Sequence, residues 1–235
     1  MSNPSLSQIG PFQVATELKP GAEMQAVIFH GFGANAFDLY QLHEFLAPDM
    51  KINWYFPDGP MEVMLGPHMS GRAWLPISES RLQRMALSGE AIRLSGEKPP
   101  EELDQVANMA VDFIKGLPLP IEKTVIGGFS QGSMLALDVA CRLDTQPLGL
   151  ALLSSSILDS ERWKKLIPQK LSGIPMIQSH GHGDPVLHVE DARTLQLWLR
   201  DAGAKVEYLE FKGGHEIPPE VIRKIDQFLR DLAAS

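Results

Sequence analysis

The sequence predicts an α/β protein with one mainly parallel sheet that is covered by helices on both faces. From about residue 25 to the end, short apolar runs rich in β-branched residues alternate with longer segments of helical periodicity. The chain has 235 residues, of which 44% are hydrophobic, and this suffices for one large core. No repeat or linker divides it, so we expect a single domain over residues 1–235.

The predicted strands are apolar runs that end in loops rich in glycine, proline and polar residues. Residues 11–19 are a candidate first strand. The other predicted strands, in chain order, are residues 25–29, 52–56, 123–127, 148–154, 174–178 and 204–211.

The predicted helices follow these strands. A proline-rich start at 99–102 and a glycine at 116 bound one of them, and Pro218-Pro219 begins the last. The helix after Ser130 has little polar face, which favours a buried position. The helices are expected at about 38–47, 99–115, 131–143, 188–202 and 218–233.

A Gly-x-Ser-x-Gly motif lies between a predicted strand and a predicted helix. It is Gly128-Phe129-Ser130-Gln131-Gly132. In this context the motif is typical of a nucleophile elbow, a sharp turn that presents a serine oxygen at the edge of a sheet. Small residues are needed two positions before and after the serine because the strand and helix backbones approach closely. The motif predicts Ser130 as the nucleophile of a hydrolase.

A serine nucleophile needs a base and an acid that orients the base, and in this architecture the chain order is Ser, acid, His. Asp184 lies in the loop after the strand at 174–178, with Asp191 as the alternative acid. His215 lies in a glycine-rich loop after the last strand. All three residues therefore follow strands, at the carboxyl edge where open α/β sheets bind ligands. We predict Asp184 as the acid and His215 as the base.

Acyl transfer also needs hydrogen-bond donors for the developing oxyanion. One predicted donor is the backbone N–H of Gln131, at the start of a helix whose dipole adds positive charge. The second is the backbone N–H of Phe32, in the loop His30-Gly31-Phe32-Gly33 after the strand at 25–29. His30 is expected to brace this loop through hydrogen bonds.

The loop at 30–36 has an alternative interpretation. Gly31-x-Gly33-x-x-Ala36 fits a dinucleotide-binding fingerprint, and Asp58 lies about 20 residues further on. A dinucleotide-binding oxidoreductase would leave the Ser130 motif unexplained, so we favour a hydrolase. A non-catalytic binding protein on the same fold is a third hypothesis, but it predicts the loss of a catalytic residue and none is missing.

About forty residues, 59–98, separate one predicted strand from the next predicted helix, and a connection of that length is usually functional or disordered. Methionines and a tryptophan there form an adaptable apolar surface, and Leu82–Ile92 suggests a short helix. We predict a cap or groove that holds an apolar acyl group, with Met64, Trp74 and Leu75 in contact with substrate. The alternative is a cover for the sheet edge.

Composition limits the partners and the compartment. The net charge of −8, without a basic patch, argues against nucleic acid and anionic membrane surfaces. No segment approaches a membrane span and no signal peptide is apparent, so stable membrane insertion is not expected. The one cysteine, Cys141, fits a reducing cytoplasm. The oligomeric state stays open.

The segment His180-Gly-His182-Gly-Asp184 superficially matches a two-metal hydrolase pattern. Pro185 stands where that pattern continues with histidine, and no matching ligand set follows. We therefore expect neither a metal nor a cofactor.

Four segments together resemble the phospholipase/carboxylesterase family of α/β-hydrolases, which includes bacterial carboxylesterases and acyl-protein thioesterases. The resemblance runs from about residue 24 to the end, and Arg72-Ala73-Trp74 is similar to the family's tryptophan segment near the substrate groove. The segments are His30-Gly-Phe-Gly33, Gly128-Phe-Ser-Gln-Gly132, His180-Gly-x-x-Asp184-Pro185 and Gly214-His215-Glu-Ile217.

The resemblance implies the α/β-hydrolase fold and the same site residues: Ser130, Asp184 and His215, with the amides of Phe32 and Gln131. We predict a serine hydrolase that cleaves carboxylic esters or thioesters of a small-molecule or acylated substrate through an acyl-enzyme. A lysophospholipase-like lipid esterase is the alternative within the same chemistry.

Overall fold

The computed structural model describes residues 5–77 and 91–234 of the chain. Eight of its ten strands form one sheet, and β5 and β6 form a separate antiparallel hairpin. The strands are β1 (Leu6–Ile9), β2 (Phe12–Glu17), β3 (Met24–Phe29), β4 (Ile52–Pro57), β5 (Met61–Gly66), β6 (Met69–Ala73), β7 (Thr124–Phe129), β8 (Gly149–Leu153), β9 (Pro175–Gly181) and β10 (Lys205–Phe211).

The sheet has the strand order β1-β2-β4-β3-β7-β8-β9-β10. Neighbouring strands from β4 to β10 pair in parallel, whereas β2 pairs antiparallel with both β1 and β4. Every residue of β3 and β8 is buried, which explains why their sequences are mostly apolar rather than alternating; the exception, Gln25 in β3, donates hydrogen bonds to Leu119 O and Thr124 Oγ1.

Helices cover both faces of this sheet. On one face α2 (Leu103–Lys115), α3 (Gln131–Arg142), α4 (Ser160–Lys170) and α5 (Val189–Asp201) enclose one apolar core. On the other face α1 (Leu42–Phe45) and α6 (Pro219–Ala233) enclose a second core. The predicted fold class, a mainly parallel sheet with helices on both faces, is confirmed.

The segment after β3 differs from the expected helix at 38–47. Residues 36–41 form turns, and only Leu42–Phe45 is helical. The Asn35 side chain accepts a hydrogen bond from Phe37 N (2.9 Å), and Ala47, at a φ of 45°, donates its N–H to Asp226 (2.7 Å). These hydrogen bonds to side chains replace the regular bonds of a longer helix.

The expected short helix at Leu82–Ile92 lies almost entirely in residues 78–90, outside the described residues. Ile92 itself forms an isolated parallel bridge with Leu187 and is therefore extended. Neither β1 nor α4 was predicted from the sequence. The helix α4 carries Pro168 within its last turns.

Candidate active site

Ser130 lies at a sharp turn between β7 and α3. Its backbone has a φ of 55° and a ψ of −120°, in the left-handed half of conformational space that a non-glycine residue adopts only under constraint. A Cβ added to Gly132 would lie 2.2 Å from Phe29 O, and one added to Gly128 would lie 2.4 Å from Gly132 C. The glycines are therefore required by the close approach of α3 to β3 and β7, as the motif predicted.

Asp184 and His215 form a hydrogen-bonded pair on the loops after β9 and β10. His215 Nδ1 donates to Asp184 Oδ2 at 2.6 Å. The other carboxylate oxygen, Oδ1, accepts from Val186 N (2.7 Å) and Leu187 N (2.9 Å). Because Nδ1 carries the proton, Nε2 of His215 is the nitrogen left to accept one.

Burial alone would raise the pKa of Asp184. The hydrogen bond and charge of His215, together with the amides of Leu187 and Val186, outweigh it and hold the pKa below its usual value. Asp184 is therefore ionised at neutral pH, as an orienting acid must be. The alternative acid, Asp191, makes no contact with His215 among the described residues. Its carboxylate accepts hydrogen bonds from other residues instead.

Ser130 and His215 open on one cavity, which we call the inner cavity. Both residues line it, together with Phe32 and Gln131, and its volume is about 240 Å³. The hydrogen bonds of the described residues include none between Ser130 Oγ and His215. Such contacts are often long in the absence of substrate and shorten when it binds.

His180 packs directly behind this pair and is fully buried. Its Nε2 lies 2.9 Å from Leu187 O and 3.3 Å from Asp184 Oδ2, two acceptors, so Nε2 carries the proton. Burial lowers the pKa of His180, although Leu187 O and Asp184 act in the opposite direction. A neutral His180 thus donates its proton to Leu187 O and places a polar N–H 3.3 Å from the Asp184 carboxylate.

The amides of Phe32 and Gln131 are the predicted oxyanion donors. Neither N–H donates a hydrogen bond within the described parts of the chain. Gln131 is the first residue of α3, where the backbone amides lack a partner inside the helix. Phe32 and Gln131 both line the inner cavity beside Ser130, so free donors and the predicted nucleophile share one space.

His30 determines the direction of the Phe32 amide. Gly59 N donates to His30 Nε2 (2.9 Å), so His30 Nδ1 carries the hydrogen and donates to Gly31 O (2.7 Å). Gly31 O and Phe32 N–H belong to one planar trans peptide and point in opposite directions. Burial lowers the pKa of His30, against the contributions of Gly31 O and Asp58, and favours the neutral form.

The β5–β6 hairpin is bonded to the same loop. Gly33 N donates to Arg72 O (2.8 Å), and Arg72 N donates to Ala34 O (2.7 Å). A Cβ added to Gly71 would lie 1.9 Å from Gly33 O, so the two backbones are in the closest contact that glycine permits. The hairpin therefore supports the loop that carries the Phe32 amide.

The side chain of Gln131 has a structural role that could not be predicted from the sequence. Its Oε1 accepts from Trp74 N (2.9 Å) and Leu75 N (3.3 Å), and its Nε2 donates to Leu75 O (2.8 Å). Trp74 Nε1 in turn donates to His30 O (2.9 Å). One residue thus offers its backbone amide to the cavity and fixes the cavity wall at Leu75 with its side chain.

Apolar side chains form most of the inner cavity wall, and no Asp, Glu, Lys or Arg lies among the lining residues that the structure describes. They come from residues 75–77 and 92–94, α3 and the loops after β8 and β9. Six that enclose the space next to Ser130 are Leu75, Ile92, Leu94, Met134, Leu158 and Leu187.

Asp191 joins the segments that form this wall. Its carboxylate accepts from Leu94 N (2.8 Å), Ser95 N (3.1 Å), Ser95 Oγ (2.6 Å) and Ser156 Oγ (2.9 Å). It is buried in the first turn of α5, where the helix dipole stabilises negative charge. This contact could not be predicted from the sequence, because the bonded residues lie about 35 and 97 positions away.

The three residues predicted to contact substrate occupy different places. Leu75 lines the inner cavity. Trp74 is fully buried beneath it, in edge contact with Phe12 and Phe29. Met64 lies on the hairpin with 68% of its surface exposed, and it is not among the cavity-lining residues. Contact of Trp74 and Met64 with substrate stays a prediction from the sequence.

The geometry of the described residues does not match the two alternative site types, a dinucleotide-binding loop and a two-metal site. A dinucleotide fingerprint needs a helix that begins within the glycine loop, but turns follow Gly33 and Asp58 accepts a hydrogen bond from Ala36 N (2.6 Å). His182 is exposed and bonds Glu210 (2.8 Å). No group of three or more His, Cys, Asp or Glu residues suited to a metal occurs in residues 5–77 and 91–234.

Comparison with known proteins shows which family the chain resembles. Residues 13–233 match the model of the phospholipase/carboxylesterase family. Acyl-protein thioesterase 1 of Eremothecium gossypii is 27% identical over 233 residues, which are 96% of this chain and 94% of that protein. Acyl-protein thioesterase 1 of Mycosarcoma maydis is 25% identical over 229 residues, with 91% and 94% covered.

Solved structures show the same fold. Esterase PE8 has a TM-score of 0.76 at 24% identity and covers 97% of this chain and 99% of its own. Acyl-protein thioesterase 2 of Zea mays has a TM-score of 0.74 at 23% identity, with 93% and 98% covered. Among the described residues, no helix is both long and apolar enough to cross a membrane. The chain belongs to the phospholipase/carboxylesterase family of α/β-hydrolases, and it is a serine hydrolase of the carboxylesterase and thioesterase type.

Proposed function

We propose that Ser130, Asp184 and His215 form the catalytic triad with which this chain cleaves an ester or thioester. The observation that carries the proposal is the opening of Ser130 and the Asp184-bonded His215 on one cavity. A hydroxyl, an oriented imidazole and unengaged amide donors are what acyl transfer needs.

In the first half of the reaction, His215 Nε2 takes the Ser130 proton while Oγ attacks the carbonyl carbon. The amides of Phe32 and Gln131 donate to the oxyanion, and the ionised Asp184 stabilises the imidazolium. His215 then gives its proton to the leaving oxygen or sulfur, and the acyl group stays on Ser130.

In the second half, water enters and His215 removes one of its protons. The resulting hydroxide equivalent attacks the acyl-enzyme carbonyl, the same two amides donate to the second oxyanion, and Ser130 Oγ recovers the proton from His215. The products are a carboxylic acid and free enzyme. Every proton in this cycle moves between substrate, water and side chains of this chain, so the scheme needs no cofactor.

The acyl half of the substrate is an apolar group that enters the inner cavity. Its support is the apolar wall and the absence of ionic groups among the described lining residues. Burial of one CH₂ group contributes about 0.8 kcal/mol, which is roughly a fourfold gain in binding for each added methylene. We expect KM to fall by that factor along an acyl series until the cavity is filled.

Residues 59–98 act as a cap and wall within a single domain that spans the chain. The support is that β5–β6 bonds the oxyanion loop and that Leu75, Ile92 and Leu94 line the cavity. We further propose the cytoplasm as the compartment, because the single cysteine, Cys141, is a buried free thiol that needs no oxidising environment.

The test is hydrolysis of p-nitrophenyl butyrate by Ser130→Ala. We expect kcat to fall by about four to six orders of magnitude while the circular dichroism spectrum is unchanged. Ser155→Ala is a matched control, because Ser155 is buried but its Oγ has no hydrogen-bond partner among the described residues. Near-normal turnover by Ser130→Ala, or equal loss in both variants, would rule out Ser130 as the nucleophile.

A further inference from the structure

His215 lines a second space besides the inner cavity, which we call the outer cleft. It has a volume of about 330 Å³ and lies between α1, Phe129, the His215 loop and the first turn of α6. Within the described residues, His215 is the one side chain that lines both spaces. The imidazole therefore stands between the apolar inner cavity and the outer cleft.

The stereochemistry of acyl transfer gives this cleft a role. The tetrahedral carbon carries four groups: Ser130 Oγ, the oxyanion, the acyl chain and the leaving group. The first three are directed to the elbow, to the Phe32 and Gln131 amides, and into the inner cavity. The leaving atom must take a proton from His215, so the fourth group has to depart on the side of that ring.

We propose that the outer cleft binds the leaving group, the thiol or alcohol half of the substrate. This rests on the proposed triad. When the carbon–sulfur or carbon–oxygen bond breaks, its electron pair stays on the leaving atom, which takes the proton from His215 Nε2. The released thiol or alcohol then lies in the cleft, open to solvent, while the acyl group stays on Ser130.

The walls of the cleft define the chemical class it accepts. Apolar side chains from three elements face it: Leu42 and Phe45 from α1, Phe129 from the elbow, and Ile217 and Ile222 near α6. Phe45 is 59% exposed, which leaves an aromatic face free for contact.

The charged groups of the cleft add a second restriction. Asp38 and Glu216 are its acidic residues, both exposed, and no Lys or Arg is among its described lining residues. Like charges across a binding site disfavour a partner, whereas opposite charges favour it. The cleft therefore accepts a bulky, partly apolar leaving group that is uncharged or cationic, and it selects against a polyanionic one.

Three octanoyl thioesters test this, because they share the acyl group and differ only in the thiol. Benzyl mercaptan gives a bulky aromatic leaving group, N-acetylcysteamine a small uncharged one, and coenzyme A a polyanionic one. All three form the same acyl-enzyme, so differences in kcat/KM arise in the steps from substrate binding to departure of the leaving group. For the unmodified enzyme we expect the order benzyl, then N-acetylcysteamine, then coenzyme A.

Phe45→Ala should lower kcat/KM for the benzyl thioester by about fivefold to tenfold and for the N-acetylcysteamine thioester by less than about twofold. Leu197→Ala is the control, since Leu197 is another exposed apolar residue (56%) that lines neither space. It should change none of the three values.

Asp38→Asn combined with Glu216→Gln should raise kcat/KM for the coenzyme A thioester by about threefold to tenfold at low ionic strength, and salt should remove the gain. An equal effect of Phe45→Ala on all three thioesters, or no gain with coenzyme A in the double variant, would overturn the assignment. Failure of the triad itself would be seen separately, as turnover of any of these thioesters by Ser130→Ala.

Discussion

Gly71→Ala should strongly lower the activity of the enzyme, although Gly71 does not line the inner cavity. The new Cβ would lie 1.9 Å from Gly33 O and 2.5 Å from Gly33 C. Ordinary contacts between carbon and oxygen are roughly 3.3 Å, so one backbone must move by about 1 Å or more. The β5–β6 hairpin and the loop at Gly33 cannot separate freely, because two backbone hydrogen bonds at 2.7 and 2.8 Å join Arg72 to Ala34 and Gly33.

The size of the expected loss in kcat/KM depends on the position of Gly33, whose backbone the new Cβ would displace. Gly33 is bonded to Phe32, whose amide is a proposed oxyanion donor. Loss of one such donor typically lowers the rate by about 10²–10³, and a 1 Å misplacement in an active site costs about 10². We expect kcat/KM to fall by about 10²–10³. If both hydrogen bonds weaken, the free energy of unfolding falls by about 1–3 kcal/mol.

The assay is steady-state hydrolysis of p-nitrophenyl butyrate, with thermal unfolding measured on the same samples. Gly66→Ala is the matched control, because a Cβ added in the same hairpin at Gly66 meets no heavy atom of residues 5–77 or 91–234 within 4 Å. Activity of Gly71→Ala above half of the unmodified value would refute the link from hairpin to oxyanion loop. Equal losses in both variants would show a general effect of the hairpin instead.

Three further predictions concern buried polar groups. Asp184→Asn should lower kcat by about 10⁴ with little change in KM, because the amide favours the wrong imidazole tautomer; stopped-flow kinetics measures this. Asp191→Asn should raise KM for octanoyl but not acetyl p-nitrophenyl esters, since it loosens the wall at Leu94; equal changes for both esters would contradict it. The pKa of His30 in the folded protein is below its unfolded value of about 6.5. The free energy of unfolding should therefore decrease as the pH falls from 6.5 towards the folded pKa, and His30 should have no such effect at higher pH. Urea unfolding of His30→Gln should lack this component.

The sequence predicted the parts of the site that depend on local chain chemistry. A strained turn with flanking glycines, the loops after β9 and β10, and the chain order of the proposed catalytic residues are all visible in short segments. Parallel pairing then brings their loops to one sheet edge, so the proximity of Ser130 and His215 follows from the fold class.

Contacts between segments that are distant in sequence could not be predicted in this way. The Gln131 side chain bonds Leu75 at a separation of 56 residues, and Asp191 bonds Leu94 at a separation of 97. Either side chain could equally have faced solvent on a helix. The short α1 was missed for a related reason, since the side chains of Asn35 and Asp226 satisfy amides that a longer helix would have used.

The most direct test of the mechanism is the mass of the protein after acid quenching during turnover of p-nitrophenyl octanoate. We expect one octanoyl group on the protein, located by peptide mapping at Ser130 and absent from Ser130→Ala. An acyl group on another residue, or steady turnover by a protein that never carries one, would contradict a covalent mechanism through Ser130.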